Sequence, residues 1–444
     1  MSARADRKRN PRSSPRQRVD EAVERVAITG IAAGGAGVGR LADGIAVFVP
    51  RTAPGDESEI AVVDRRARWA RGRLVRTLQD GPDRRRAPCP LYSRCGGCTL
   101  QHLEPTAQRR AKSRLVADAM ARIAHLPIDA PFVEHGEKEF HYRNRLSFTL
   151  VRLSGGPVVA GFHEANRPER ILDVDARCLL PEPAIGMAWS QLREAWGPGA
   201  RRLPSGAKLR LTLRAVESGE VSLTIDGGDD DGDAAVLLAA VPAITSIWHR
   251  RKGELEPVLI AGAESLAESW LGEEVALTGT TFLQVNREAA KLLESHVLER
   301  AGAVDGRAVV DAYCGIGTRA RALAGKGASV TGIELDPKAV REARRLGGGP
   351  SYIEARVEEA LPSVLPADLV LLNPPRTGID GVVAESLAHT PPRRILYVSC
   401  DPATLARDIA RLAGTFTVHD LHCFDLFPQT SHVETVAELV CAIS

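Results

Sequence analysis

Between residues 21 and 86, short runs of β-branched and other apolar residues alternate with glycine, Asp-Gly and Pro-Gly turns. RVAITGI and IAVFVP are two of these runs, and each has the length of one strand. Such alternation, interrupted by frequent turns, predicts a small antiparallel barrel. Barrels of this kind often bind single-stranded nucleic acid.

The pattern changes twice along the rest of the chain. Residues 87–274 are mixed, with a helix predicted over Ala107–Ala124 and strands at RLSFTLVRL, KLRLTLRAV and VSLTID. The acidic run at 227–233 lacks the last acidic residue of a calcium loop, so we expect a solvated hairpin turn there. Over residues 275–444, strands such as SVTGIEL and RILYVSC alternate with helical stretches. This order predicts an α/β domain with a doubly wound, mostly parallel, Rossmann-like sheet.

Length and composition describe a globular protein of two or three domains. The chain has 444 residues, of which 44% are hydrophobic and 26% charged, which does not fit a disordered chain. No uninterrupted apolar stretch is long enough to span a bilayer, and the charged N-terminus lacks the apolar segment of a secretory signal. We therefore expect a cytoplasmic, monomeric protein without a membrane partner, in which eight cysteines indicate metal binding, catalysis or burial.

Positive charge is clustered although the formal net charge is only +2. Residues 1–20 form a basic arm, and a second basic block surrounds Trp69. The members of this block are Arg65, Arg66, Arg68, Arg71, Arg73, Arg76, Arg84, Arg85 and Arg86. Such clusters suit a phosphate-rich partner, although a solvated arginine-rich face accounts for them equally well.

The segment VVDAYCGIGTRA has the pattern of a ligand-binding turn between a strand and a helix. Gly315 and Gly317 allow the backbone to approach a ligand, and Glu334 ends the next strand, where a carboxylate can accept from ribose hydroxyls. This turn formally matches a dinucleotide fingerprint. The acidic Asp311 at the strand end suits S-adenosylmethionine instead, so two cofactors fit.

The strand LVLLNPPRTGI favours S-adenosylmethionine. It ends in Asn373-Pro374-Pro375-Arg376, at the sheet edge where open α/β sheets bind ligands. Amino-methyltransferases that act on nucleic acids have a related Asn-Pro-Pro followed by an aromatic residue that stacks the target base. Arg376 occupies that aromatic position here, which makes methylation of an amino group less favoured.

Cys400 lies at a strand-to-helix junction in ILYVSCDPATLARD. Asp401 is the predicted N-cap and Pro402 the first helical residue. A thiol at the positive end of a helix dipole should have a lowered pKa, which favours the nucleophilic thiolate. Cys400 is therefore a candidate nucleophile.

A thiolate has a clear use in methylation of a pyrimidine carbon. Carbon 5 of uracil is a poor nucleophile, but addition of a thiolate to carbon 6 produces an enolate that makes carbon 5 reactive. A base must then remove the carbon-5 proton so that the thiolate can leave. Glu434, in the last predicted strand, is the candidate base, although an exposed strand carboxylate is the more ordinary interpretation.

The motifs, taken in order, resemble the RNA uracil-5-methyltransferase family, which forms 5-methyluridine in ribosomal or transfer RNA. The matching segments are FLQVN (282–286), DAYCGIGT (311–318), GIELDP (332–337), NPPRTGI (373–379), SCDPATLARD (399–408) and HVET (432–435). The N-terminal barrel resembles a TRAM domain, so that the resemblance covers nearly the whole chain.

The resemblance implies a role for each matching residue. Cys400 would be the nucleophile and Glu434 the base. The methyl donor would be held by Gln284, Tyr313, Glu334 and Asn373. Thr318 stands where some members have asparagine, and Asn286 is expected only to cap the following helix.

Three cysteines in CPLYSRCGGCTLQHL suggest a metal site. Cys89, Cys95 and Cys98 form a C-x5-C-x2-C run with two glycines, and Cys178 can provide a fourth thiolate. Four thiolates suit zinc or an iron–sulfur cluster equally, and the family resemblance favours [4Fe–4S].

The sequence therefore predicts a disordered basic arm (1–20), a TRAM-like RNA-binding barrel (21–86), a central domain with the cluster (87–274) and a methyltransferase domain (275–444). The expected substrate is 23S ribosomal RNA, with transfer RNA as the alternative. Two other classes stay open at this point. A nicotinamide-dependent oxidoreductase would use the same glycine turn, and a non-catalytic RNA-binding protein would not need Cys400.

Overall fold

The computed structural model describes residues 23–442 except 271, 280 and 282. The predicted basic arm lies outside these residues. The described chain divides into two compact units, residues 23–32 with 36–84, and residues 33–35 with 85–442. None of the helices in the described ranges is long and apolar enough to cross a membrane.

The first unit is a five-stranded closed barrel, as predicted, although one pair of neighbouring strands is parallel and not antiparallel. Its strands are β1 (Val23–Ile31), β2 (Ala36–Arg40), β3 (Ala46–Pro50), β4 (Glu57–Arg65) and β5 (Trp69–Gln79). They pair in the order β1-β2-β3-β5-β4. Alternate apolar residues such as Val47, Val49 and Ile60 fill the interior, because successive strand residues point to opposite faces of the sheet.

The basic block is less available to a partner than its sequence suggested. Arg65 pairs with Asp43, Arg76 with Glu59, and Arg84 with the fully buried Asp56. Arg71 lies over the ring of Trp69, with its guanidinium carbon 5.4 Å from the ring centroid. A carboxylate on a neighbouring strand or turn can neutralise an arginine, and a count of arginines does not reveal this.

The second unit begins with a mixed region that contains a seven-stranded sheet. The elements of this region are α1 (Pro105–Ile123), β6 (Val133–His135), β7 (Arg145–Arg152), β8 (Val158–His163), β9 (Ile171–Asp173), α2 (Pro183–Ala195), β10 (Lys208–Ala215), β11 (Val221–Asp226), α3 (Ala234–Ala240), β12 (Ile244–Arg250), β13 (Val258–Gly262), β14 (Leu266–Trp270) and β15 (Glu273–Leu277). The sheet order is β13-β12-β11-β10-β7-β8-β9. Its apolar face packs on α2 and α3, where the rings of Phe148 and Trp189 stack with centroids 3.8 Å apart.

The expected hairpin turn at 227–233 is wrong. Strands β11 and β12 are parallel, and the acidic run leads into α3, which connects them. Parallel neighbours cannot be joined by a tight turn, so the acidic run begins the longer connection through α3. Asp231 pairs with His249 of β12 and with Arg251, the residue after β12. These pairs fasten the connection to the sheet.

The C-terminal region is a doubly wound sheet, as predicted. Its elements are α4 (Arg287–Ala301), β16 (Ala308–Ala312), α5 (Thr318–Ala324), β17 (Ser329–Glu334), α6 (Pro337–Leu346), β18 (Ser351–Glu354), α7 (Val357–Val364), β19 (Leu369–Leu372), α8 (Gly381–His389), β20 (Arg394–Ser399), α9 (Pro402–Leu412), β21 (Phe416–Asp425) and β22 (Glu434–Cys441). The order is β18-β17-β16-β19-β20-β22-β21-β6, in which β16 to β20 are parallel. The carboxyl ends of these strands present Tyr313, Glu334, Asn373 and Cys400 at one edge.

The sheet also includes residues that the sequence placed in the central domain. Strand β6 pairs with β21, and α1 packs against α9. The expected boundary at 274/275 falls inside the hairpin β14–β15. Pairing between distant segments, which no local pattern records, determines where these segments lie.

A buried ion pair fastens α1 to the end of β21. The Lys112 ammonium is inaccessible to solvent and pairs with Asp425, and it also donates to the carbonyl of Phe427 at 3.1 Å. Two opposite charges out of water stabilise each other only while both are present.

Replacing Lys112 with methionine should lower the free energy of unfolding by about 3 kcal/mol, because Asp425 would be left as an uncompensated buried charge. Arg122→Met on the same helix removes an exposed pair with Asp118 (3.9 Å) and should cost less than about 0.5 kcal/mol. Urea denaturation followed by tryptophan fluorescence measures both. Equal effects of the two substitutions would show that the buried pair has no special role.

Candidate active site

One large cavity lies at the carboxyl edge of the parallel strands. Its volume is about 1330 Å³. Its lining includes all six residues that the family resemblance assigned to donor binding and catalysis, namely Gln284, Tyr313, Glu334, Asn373, Cys400 and Glu434. Residues separated by 150 positions in the chain thus meet in one space.

The glycine turn after β16 is built as predicted. Gly315 and Gly317 have φ of 57° and 73°, and Tyr313 also has a positive φ of 64°. A non-glycine residue rarely adopts this conformation, and such strain is common at ligand sites. The backbone of Gly315 lines the cavity, whereas a Cβ added at Gly317 would collide with the ring of Tyr352.

Glu334 holds this turn against the start of α6. Its carboxylate accepts hydrogen bonds from the backbone N–H groups of Gly315 (2.9 Å), Leu335 (2.7 Å) and Asp336 (2.8 Å). A carboxylate has about four acceptor sites, so capacity is left for a ligand hydroxyl at the cavity wall.

The inner wall of the cavity contains two acids that are buried beside one arginine. Asp311 is buried, its Oδ2 has no hydrogen-bond partner in the described residues, and burial raises its pKa to about 7. Arg319 is also buried and forms a bidentate pair with Glu294, at 2.5 and 2.8 Å. The sequence did not predict this pair. Its only local sign is a charged residue, Arg319, at the start of the helix that follows the glycine turn.

The junction at Cys400 has the predicted local structure. The Asp401 side chain accepts from the N–H of Thr404 at 2.7 Å, which confirms the N-cap, and Pro402 is the first residue of α9. Cys400 is only partly exposed.

The pKa expected for Cys400 is wrong for the protein alone. Burial raises the pKa of the thiol, and the charge of Glu434 raises it further, whereas Arg376 acts in the opposite direction. Desolvation disfavours the charged thiolate. Its effect on the pKa of Cys400 is therefore larger than the lowering expected from the helix N-terminus.

Glu434 is buried, contrary to the ordinary interpretation of a strand carboxylate. It is the first residue of β22, with 5% of its surface exposed. Burial raises its pKa to about 7, although the charges of Arg319 and Arg376 act to lower it. A carboxyl group with a pKa near neutrality can exist as both acid and base under physiological conditions.

The loop after β19 is fixed to α9 by a buried carboxylate. Asp408 accepts from the N–H of Ile379 at 3.0 Å and from the hydroxyl of Tyr397 on β20 at 2.8 Å. Thr404 donates to the carbonyl of Arg376 at 3.1 Å. The loop that carries Asn373 and the helix that follows Cys400 are thus fastened to each other.

Gln429 anchors the loop that precedes Glu434. It is fully buried with φ of 70°, and its carbonyl accepts from the N–H groups of Thr99 and Leu100, both at 3.0 Å. Gln108 of α1 accepts from the Gln429 N–H and donates to the Gln429 side chain, both at 2.9 Å. The catalytic candidate Glu434 therefore depends on α1 and on the segment that follows Cys98.

Two further predictions concern residues 284–286. Gln284 lines the cavity, and its carbonyl accepts from the side chain of Asn144 at 3.1 Å. Asn286 caps α4 by accepting from the N–H of Ala289 at 3.2 Å, as predicted. Phe282 of the same motif lies outside the described residues.

The four cysteines Cys89, Cys95, Cys98 and Cys178 line a second, much smaller cavity with apolar neighbours. Burial raises the pKa of Cys98 and of Cys178 to about 12, so the bare thiols are neutral at physiological pH. Within the described residues, no three His, Cys, Asp or Glu side chains are arranged to share a single metal ion.

Comparison with known proteins agrees with this geometry. Residues 361–440 match the family model described as tRNA (Uracil-5-)-methyltransferase, and residues 21–75 match the TRAM domain. Proteins named as uncharacterized RNA methyltransferases from Halalkalibacterium halodurans and Gloeobacter violaceus are 32% and 34% identical. The alignments cover 94% and 93% of this chain and 96% and 95% of the respective relatives.

A solved structure also matches nearly the whole chain. It is the crystal structure of Pyrococcus abyssi tRNA (uracil-54, C5)-methyltransferase in complex with S-adenosyl-L-homocysteine, with a TM-score of 0.73 and 26% identity. The match covers 94% of this chain and all of that chain.

The fold and its cavity thus define an S-adenosylmethionine-dependent RNA methyltransferase. More specifically, the chain belongs to the RNA uracil-5-methyltransferase family, with a TRAM domain at its N-terminal end. This membership decides against both other classes considered above, the nicotinamide-dependent oxidoreductase and the non-catalytic RNA-binding protein.

Replacing Gln108 with leucine should leave the buried N–H of Gln429 without a partner, at a cost of about 1–3 kcal/mol. The side-chain oxygen of Gln429 would lose one of its two donors and keep Arg85, at 3.3 Å. The loop 427–432 should then lose its fixed position, so methylation should slow while donor affinity, measured by calorimetry, stays unchanged. Thr106→Leu, at an exposed position of α1, is the control. Equal methylation rates for the two variants would count against the anchoring role.

Proposed function

We propose that the protein methylates carbon 5 of a specific uridine through a covalent adduct between Cys400 and carbon 6 of the base. The observation that carries this proposal is that Cys400, Glu434 and the four candidate donor-binding residues line one cavity. The reaction needs a nucleophile, a base and a methyl donor around the same ring, and each is provided for there.

In this proposal, S-adenosylmethionine binds at the glycine turn. Glu334 accepts from the ribose hydroxyls, while Tyr313, Gln284 and Asn373 contact other parts of the donor. The unpartnered oxygen of Asp311 is suited to receive the ammonium group of the donor, whose positive charge would favour the ionised carboxylate.

Proton transfer follows from the two perturbed groups. Cys400, which is partly exposed in the cavity, must release its proton to solvent before it adds to carbon 6. The charge of Arg376 lowers the pKa of both Cys400 and Glu434 and so favours the thiolate and the carboxylate. Carbon 5 then displaces the methyl group from the sulfonium of the donor. Ionised Glu434 removes the proton from carbon 5, and the electrons of that C–H bond restore the ring double bond as the thiolate leaves.

We further propose a [4Fe–4S] cluster bound by Cys89, Cys95, Cys98 and Cys178, with zinc as the alternative. The four thiols line one cavity, and the family resemblance favours the cluster over zinc. A bound cluster would offset the charge of the four thiolates and crosslink the segment 89–98 to Cys178. Methyl transfer requires no electron transfer, so the proposed role is structural.

The proposed target is 23S ribosomal RNA, because the barrel combined with the cysteine segment resembles the large-subunit ribosomal RNA enzymes. Transfer RNA is the second candidate, favoured by the similarity to the Pyrococcus abyssi tRNA enzyme. In both cases the barrel, the central region and the methyltransferase domain keep the roles expected from the sequence. Mapping 5-methyluridine in ribosomal and transfer RNA from cells that lack the protein separates the two targets.

Cys400→Ala should abolish methylation and leave donor affinity nearly unchanged, because the thiol attacks the base and does not hold the donor. The wild type should form a covalent complex with RNA that contains 5-fluorouridine, since fluorine at carbon 5 cannot be removed as a proton. Denaturing gel electrophoresis detects this complex. Cys423→Ala, which removes a thiol buried in β21, is the control and should still be trapped.

Product release should depend on pH through Glu434. The carboxyl group must be ionised to accept a proton, and with a pKa of about 7 its ionised fraction rises about tenfold between pH 6 and pH 8. Release in single-turnover experiments should rise accordingly. Glu434→Gln should remain attached to methylated RNA at every pH. Wild-type release by this variant would assign the proton transfer to another group.

Anaerobically purified protein should be brown, with visible absorbance near ~400 nm, as is common for thiolate-bound clusters. Serine at any one of the four cysteine positions should bleach this colour, whereas Cys441→Ser, at the end of β22, should not. A colourless protein with stoichiometric zinc would show that the site binds zinc and not the cluster. A metal-free protein with all four thiols open to alkylation would rule out both the cluster and zinc.

A further inference from the structure

The seven-stranded sheet has a polar face opposite the one that packs on α2 and α3. The strand register aligns Ser147, Thr212, Thr224 and Trp248 as neighbours across β7, β10, β11 and β12. The next row contains Thr149, Arg210, Asp226 and Arg250. Thr212 and Thr224 at the centre of this face are buried, whereas Ser147 and Trp248 are partly exposed and Arg210 is exposed. The part of the face around Arg210 is therefore open to water or to a polar partner.

Two arginines on this face have no carboxylate partner among the described residues. Arg210 is exposed, and its guanidinium donates to the hydroxyl of Ser147 at 3.3 Å, which directs it along β7 towards Arg145. Arg145 is partly buried, and burial and the charge of Arg210 lower its pKa, whereas the charge of Asp226 acts in the opposite direction. In contrast, Arg250 is paired with Asp226 at 2.9 Å.

A third guanidinium adds to the positive charge. Arg214 lies directly opposite Arg145 in the strand register and donates to the backbone carbonyls of Thr281 and Leu283. Neutral carbonyls satisfy its hydrogen bonds and do not neutralise its charge. An anion near Arg145 and Arg210 would therefore relieve repulsion between like charges.

Trp248 connects this face to the methylation cavity. It lines the cavity and is only partly buried. One part of its indole is covered by Gly279, where an added Cβ would come within 2.8 Å of the ring. A guanidinium pair and a partly open indole therefore adjoin the space in which the target base would be methylated.

We propose that Arg145, Ser147, Arg210 and Trp248 form a binding site for the single-stranded RNA next to the target uridine. The arginines would bind a phosphate, and the indole would stack an unpaired base. The proposal rests on the methyltransferase function for its choice of partner. An acidic peptide would satisfy the arginines, but RNA also explains the indole and the continuity with the cavity.

The test measures the affinity of the full-length protein for a short single-stranded RNA by fluorescence anisotropy at several KCl concentrations. Arg210→Gln and Arg145→Gln should each weaken binding about fivefold, the scale of one lost charge-assisted hydrogen bond at a surface. Each should also reduce the salt dependence of log Kd by about 0.7. Arg201→Gln, which removes an exposed charge beyond α2, is the matched control.

Trp248 is tested with the same RNA and with a duplex of the same sequence. Trp248→Leu should weaken binding to the single strand, whereas Trp248→Phe keeps an aromatic face and should restore most of the affinity. Duplex binding should change little. An equal loss for duplex and single strand would overturn the assignment of an unpaired RNA segment.

Unchanged affinity and salt dependence of Arg210→Gln, relative to Arg201→Gln, would overturn the whole proposal. Arg210 is exposed, so its substitution does not endanger folding, and donor binding checks that every variant is folded. Covalent trapping of 5-fluorouridine RNA by the wild type reports separately on the proposed reaction. Normal trapping by the wild type, together with unaltered RNA binding by Arg210→Gln, would therefore refute the proposed RNA site and leave the proposed reaction standing.

Discussion

The charge balance at the inner wall of the cavity governs the chemistry that this site can perform. Three carboxyl groups, those of Glu294, Asp311 and Glu434, are buried there with the guanidinium of Arg319. Arg319 forms a bidentate pair with Glu294, and its charge also acts to lower the pKa of Asp311 and of Glu434. Burial outweighs this attraction, and the pKa of each carboxyl group rises to about 7. Desolvation that would only destabilise a structural carboxylate thus gives Glu434 the proton affinity that a base needs near neutral pH.

The cavity is maintained by contacts from segments distant in sequence. Gln429 fixes the loop before Glu434 to α1 and to the amides of Thr99 and Leu100, which directly follow Cys98. Asp408 fixes α9 to the loop that carries Asn373. A loss of order around the cysteines would therefore reach the catalytic loop through a short chain of hydrogen bonds, without any electron transfer. This path gives the cysteine segment a physical connection to methylation.

The sequence predicted the parts of the fold and site that local patterns determine. The barrel and the doubly wound sheet follow from alternation and turns, and the N-cap at Asp401 follows from the strand-to-helix junction. The association of Cys400 with Glu434 came instead from the chemistry of uracil methylation and from the family resemblance. Properties that depend on distant neighbours were missed. The raised pKa of Cys400 reflects burial and Glu434. Arg65, Arg76 and Arg84 of the basic block pair with acids elsewhere in the barrel, and β6 joins a sheet formed mainly by residues after 300. The prediction of a hairpin turn at 227–233 was wrong because nothing in that segment shows that the strands on either side of it, β11 and β12, are parallel.

The central claim is that Glu434 takes the carbon-5 proton while Cys400 holds the ring. Release of tritium from RNA labelled at carbon 5 of uridine measures this step directly. The account predicts that the wild type releases tritium in step with methyl transfer, and that Glu434→Gln transfers the methyl group but retains the tritium. Tritium release by Glu434→Gln at the wild-type rate would contradict it.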